Sequence, residues 1–150
     1  MVLTDRDERI ITMLFEMGPL RREHIQALLF TPGGASRAQV RLTRLYQNKY
    51  IDKLPGRPMN SPDVYFVSRR CWRALNILDK GYGEAGVEDR LRPPGKVPHA
   101  LLVNECRIAF TLGAKTLGFD LKEWRDELDL TWMGKQYGIV PDGYFRIQRA

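Results

Sequence analysis

Histidine and cysteine are scarce in this chain, with two of each in 150 residues. A zinc-finger type of centre needs four Cys or His ligands at short spacing, and Cys71 and Cys106 have no such neighbours in sequence. The pattern predicts reduced thiols packed in a core and no metal. His24 and His99 also lack partners at ligand spacing, and His99 falls where a helix should start, so a cap or interface role accounts for it. No apolar run approaches membrane-spanning length, and "MVLTDRDERI" lacks a signal peptide's basic-then-apolar layout. The expectation is a cytoplasmic protein with no membrane partner. No Ser/His/Asp set, Walker loop or dinucleotide fingerprint is present, so the motifs nominate no catalytic residue and no cofactor.

What the chain does have is positive charge in one half. It is 43% hydrophobic and 28% charged, an ordinary composition for a globular protein. Its net charge is +6. Residues 1–80 carry 14 Lys/Arg against 8 Asp/Glu, whereas residues 81–150 carry 10 against 10. The whole excess therefore lies in the first half, which predicts a polyanionic partner for that half alone.

Hydrophobic periodicity and turn residues divide the chain further. "LTDRDERIITMLFEMG" predicts a helix capped by Thr4, with Ile10, Ile11, Leu14 and Phe15 on one stripe and Gly18-Pro19 as its stop. "RREHIQALLF" fits a second short helix, "TPGG" a turn, and "ASRAQVRLTRLYQNKY" a third helix with Ser36 near its cap. Two β-rich runs, Tyr50 to Leu54 and Val64 to Val67, flank a Pro/Gly/Asn/Ser tip and predict a hairpin. Ser68 then precedes a fourth helix, "RRCWRALNILDK". Three helices followed by a two-stranded hairpin are the order of a winged helix-turn-helix. The segment 81–98 has the Gly/Pro content of a linker. "HALLVNECRIAFTLGAKTLG" predicts an amphipathic helix with Gly118 as its C-cap, and "FDLKEWRDE", "LDLTWM" and "YGIVPDGYFRIQ" read as three strands. The fold class is α+β, with a winged helix at 1–80 and a small helix-plus-sheet domain at 99–150.

The third helix carries the functional signal. At about 100° per residue, Ala38, Leu42 and Leu45 form a core stripe, and Arg37, Arg41, Arg44 and Asn48 form a second one beside it. Val40, Thr43 and Gln47 continue round the side away from the core. Arginine can bridge guanine O6 and N7, glutamine can pair with adenine, and a valine or threonine methyl can meet the thymine methyl. The competing account is plain solvation of an exposed face. The hairpin that follows favours DNA, because Lys53 and Arg57 are placed to reach flanking phosphates. Arg21 and Arg22 would hold phosphate at the start of the second helix, while Arg69, Arg70 and Arg73 fit either phosphate contact or surface charge. Trp72, Trp124 and Trp132 read as core and rim residues.

"LTDRDERIITML", "RLTRLYQNKYID", "VYFVSRRCWRAL", "HALLVNECRIAF", "EWRDE" and "PDGYFRI" together resemble the replication-relaxation family of bacterial plasmids, phages and integrated elements. The resemblance implies a winged-helix DNA-binding domain joined to a second domain like a restriction endonuclease, here with its later part lacking. It also implies a role in replication or relaxation of mobile DNA. By the same resemblance, Glu105, Asp142 and, less directly, Glu127 would be the metal-binding acids. The eight residues after Asp142 contain no acid and no lysine, so the acid-x-lysine partner of such a site is not found there. Pro-Asp-Gly at 141–143 is also a turn signal in its own right, with proline presetting one angle and glycine taking the left-handed position. The expectation is therefore a hairpin turn without cleavage chemistry.

The resulting expectation is a non-enzymatic protein that binds double-stranded DNA and acts in replication, DNA processing or transcription control on a mobile element. One alternative is a subunit of a metal-dependent endonuclease completed by another chain. Another is a winged-helix protein-interaction module. "YFRIQ" alternates polar and apolar residues and leaves an edge to be covered, which predicts a homodimer through residues 99–150. Replication or conjugation proteins are further candidate partners.

Overall fold

The computed structural model describes residues 1–71, 84–91 and 95–150. It is a mixed α+β protein with two small antiparallel sheets. Contacts divide it into two units, Met1–Ala100 and Leu101–Ala150, with the division falling inside one long helix.

The first unit opens with α1 (Asp5–Met17). Thr4 caps it through a reciprocal box: the Asp7 N–H donates to Thr4 Oγ1, and the Thr4 N–H donates back to Asp7 Oδ2 at 2.9 Å. Ile10, Ile11, Leu14 and Phe15 follow at helical spacing and are buried. Gly18, at φ 79°, ends the helix with its N–H on the Leu14 carbonyl. A two-residue strand, β1 (Leu20–Arg21), then runs straight into α2 (Arg22–Leu29). Strand β1 was not foreseen, because two residues carry no periodicity. The α2–α3 turn depends on Gly34, where a Cβ would lie 2.9 Å from both the Phe30 Cβ and the Thr31 carbonyl oxygen. Helix α3 (Ala35–Gln47) follows, then β2 (Ile51–Lys53) and β3 (Val64–Val67).

The three strands lie in the order β1-β3-β2. Central Tyr65 is flanked by Leu20 on one side and Lys53 on the other. Beneath them, Leu14, Ile25, Leu42, Leu45, Ile51 and Val64 are fully buried. The helix expected after Ser68 begins at Arg69–Cys71, and its remainder, with Trp72 and Arg73, lies outside the described residues.

Four expectations need correction. The segment 81–98 is not purely a linker, since it contains α4 (Glu84–Leu91) with Val87 and Leu91 buried. Arg90 of α4 donates to the Glu16 carbonyl at 3.2 Å, a cation at the C-terminal end of α1, whose own last turn has no basic residue. "LDLTWM" is not a strand. It lies in α6 (Glu127–Tyr137), where Asp126 and Asp129 form a second capping box and Gly138 closes the helix in the left-handed region. Capping chemistry outweighed the β-prone residues there.

Pro-Asp-Gly likewise makes no hairpin. It joins α6 to β5 (Gly143–Arg149), and Gly143 is not at positive φ. A Cβ there would sit 3.0 Å from the Trp124 ring, so close approach explains the glycine. Finally, Cys106 is exposed instead of packed in a core, although Cys71 is buried as expected.

The second unit is built on α5 (Val97–Thr116), which begins just before the contact division. The hairpin partner of β5 is β4 (Phe119–Asp126), paired from Phe119↔Arg149 to Asp126↔Gly143 with a register shift between Leu121 and Glu123. Phe145 stacks on Phe110 of α5 at 4.4 Å and on Trp124 at 5.8 Å. The opposite face carries the ion pairs Lys122–Asp120, Arg125–Glu123 and Arg146–Glu123.

Asp7→Ala is expected to destabilise the first unit by roughly 2–4 kcal/mol, since it removes both the α1 cap and the buried partner of Arg41. Urea unfolding checks this, and Thr4→Ala should cost clearly less because it spares the ion pair.

Candidate nucleic-acid interface

Helix α3 sorts its residues by burial into two functional groups. Ala38, Leu42 and Leu45 are fully buried, as their spacing predicts. Ser36, Arg37, Val40, Arg44 and Gln47 are exposed on one face, with Thr43 half-buried beside them. Val40 is 49% exposed on this face, between Arg37 and Arg44.

Arg41 does not belong to that face. Its Nη1 lies 3.3 Å from Asp7 Oδ2, and Asp7 is fully buried. The guanidinium is thus turned toward α1 and serves the packing of α3. The sequence placed Arg41 with Arg37 and Arg44 because periodicity assigns a sector and not a partner on another helix.

The other cations are anchored to differing degrees. Arg37 Nη2 is 3.4 Å from Thr31 Oγ1, and Arg22 Nη1 is 3.4 Å from Gln39 Oε1. Arg21 sits in β1 and supplies the N-cap position of α2, where its backbone N–H donates to His24 Nδ1 at 3.2 Å. His24 is therefore a buried capping residue. Arg57 is half-buried near the hairpin tip, and its Nε finds no partner among the described residues. The exposed Met59 marks the same tip.

Lys53 is the most constrained. Its Nζ lies 2.6 Å from Asp63 Oδ2 and between two rings, 5.0 Å from the Tyr46 centroid and 5.6 Å from that of Tyr65. The Asp63 hydrogen bond is the main cause that raises the Lys53 pKa above the ordinary lysine value, against the lowering effect of burial. Burial raises the Tyr65 pKa, and its hydroxyl donates to the same Asp63 oxygen at 3.3 Å. Gln39, Tyr46 and Asp63 were missed in the sequence. The one signal for them was a lysine flanked by tyrosines on neighbouring elements. Gln39 Nε2 also donates to Thr43 Oγ1 at 3.3 Å, so α2 and α3 share one polar network.

Cys71 has no reactive role in this arrangement, because burial pushes its thiol up to about 12.

Within the second unit, folding brings together two acids that sequence spacing could not pair. Glu127 at the start of α6 and Asp142 before β5 each offer a carboxylate oxygen within 4.8 Å of the other. Two carboxylates suit a divalent ion. Glu105, which the resemblance nominates, is not in this group.

The family described as replication-relaxation matches residues 11–150. No curated protein and no solved structure matches the chain. With all the elements from α2 to β5 inside the matched span, the chain belongs to the replication-relaxation family.

Proposed function

We propose that the first unit is a winged helix-turn-helix that binds double-stranded DNA, with α3 in the major groove and the β2–β3 hairpin along the flanking backbone. The observation that carries this reading is the exposed line Arg37, Val40, Arg44 and Gln47, which offers hydrogen-bond donors and a methyl surface on one helix face. Residues 1–80, which hold the chain's whole +6, supply the attraction to phosphate. Membership of the replication-relaxation family supports a role in replication or relaxation of mobile elements. Within that setting its role is DNA recognition that controls replication, DNA processing or transcription, alongside replication or conjugation proteins, and it is not itself an enzyme.

Counting Arg37, Arg41, Arg44, Lys53 and Arg57 as phosphate ligands gives a log–log salt slope of about −4 to −5. Arg41 and Lys53 are held by Asp7 and Asp63, so three or four cations, counting Arg22, remain for DNA. The expected slope is about −3. Arg44→Ala or Arg37→Ala should relax base preference at a cost of roughly 1–3 kcal/mol, whereas Arg41→Ala should lower stability and keep the preference. Affinity measured on several duplexes and salt concentrations checks both. A slope near zero ends the DNA reading.

A second reading is favoured by Glu127 and Asp142: a metal-dependent nuclease subunit whose site another chain completes. These two residues would hold the ion, which would supply Lewis-acid activation of water or phosphate. On the DNA-binding reading, plasmid incubated with magnesium or manganese stays supercoiled, and Asp142→Asn binds DNA as the wild type does. Nicking that disappears in Asp142→Asn and Glu127→Gln selects the nuclease.

The second unit is read as a homodimer interface. Its sheet has only two strands, and Phe110, Leu117, Phe145 and Ile147 stay substantially exposed. Light scattering at tens of micromolar should give twice the chain mass for the full protein, and a single chain mass there refutes the dimer.

A further inference from the structure

Resting on the DNA-binding reading above, we propose that Asp63 sets the affinity of the hairpin for DNA by holding Lys53 in an ion pair that a backbone phosphate must displace. The sequence counts Lys53 as a free cation next to the recognition helix. The structure places its ammonium 2.6 Å from a carboxylate oxygen that also accepts the Tyr65 hydroxyl. Two aromatic faces, Tyr46 from α3 and Tyr65 from β3, hold the ammonium from the sides. The lysine is thus aimed and partly neutralised at once.

The pair remains within reach of a ligand. The side chains of Lys53 and Asp63 are 31% and 47% exposed, so a phosphate can approach the ammonium without unfolding the hairpin. Exposed ion pairs of this kind hold weakly in water, which makes exchange of one anion for another feasible. The Asp63 carboxylate opposes that exchange, because any phosphate reaching Lys53 comes close to a second negative charge. Once displaced, Asp63 still repels the backbone. The acid therefore lowers affinity for all sequences alike, leaving discrimination to the α3 face.

The test is a double-mutant cycle on the full chain, reading duplex affinity against salt. Asp63→Asn keeps the shape and removes the charge. It should bind about three- to tenfold more tightly near 0.15 M salt, and its slope should steepen by about 0.9, the value for one added phosphate contact. Lys53→Ala alone leaves Asp63 without its countercharge and should weaken binding by about two- to threefold, and in the Asp63→Asn background it should abolish the gain. An Asp63→Asn protein with unchanged or weaker affinity and an unchanged slope overturns the inference while leaving DNA binding intact. So does a Lys53→Ala protein that loses about tenfold by itself. If the wild type shows no salt-dependent binding to any duplex, the DNA-binding reading and this inference fall together. A readout without DNA also applies. The 13C signal of reductively methylated Lys53 should titrate above the ordinary lysine value in the wild type, and fall toward that value in Asp63→Asn. Ordinary titration in the wild type overturns the ion pair itself.

Discussion

One carboxylate oxygen at the centre of the first unit sets the geometry of the rest. Asp7 Oδ2 accepts from the Thr4 N–H at 2.9 Å, the Thr4 hydroxyl at 2.8 Å and Arg41 Nη1 at 3.3 Å. The first two fix where α1 begins, and the third ties α1 to α3 across the core. A buried carboxylate is costly unless charge and hydrogen bonds compensate it, so this constellation tolerates little rotation of either helix. The azimuth of α3 follows from it. Arg41 lies at the edge of the core stripe beside Arg37 and Arg44, so its hold on Asp7 fixes that edge of the helix while Val40, Thr43 and Gln47 face away from the core.

A similar principle operates at the hairpin on a smaller scale. Asp63 holds Lys53 as Asp7 holds Arg41, but at the surface instead of in the core. Two of the five basic residues that the sequence assigns to helix and hairpin are therefore engaged by acids of the same chain. The buried pair ties α3 to α1, and on the proposed DNA-binding reading the exposed pair would moderate a phosphate contact. This division explains why a count of Lys and Arg overstates the charge available to a polyanion.

How much was legible beforehand depends on the range of the interactions involved. The α1 boundaries, the core stripe of α3 and the β3 strand follow from capping residues, helical period and β-branched runs, all of them local signals. The inward turn of Arg41 was not legible, since its partner lies 34 positions away. Neither was the Lys53–Asp63 pair, which the hairpin register creates. In the second unit, "LDLTWM" misled because its β-prone residues stand between an Asp126–Asp129 capping box and Gly138, and the caps decided the outcome. The turn at 141–143 misled for a different reason: Gly143 is needed for contact with Trp124, not for its backbone angle. The approach of Glu127 to Asp142 within the second unit has no counterpart in sequence spacing.

The most direct measurement of the central claim follows the arginine side chains themselves. In a 15N-labelled full-length chain, the Nε–H signals of Arg37, Arg41 and Arg44 can be assigned and tracked as a duplex is added. If the Asp7–Arg41 pair turns the recognition face outward, Arg37 and Arg44 shift while Arg41 keeps its free-state position. Arg41 moving together with the other two would contradict the account, as would a response confined to residues 101–150.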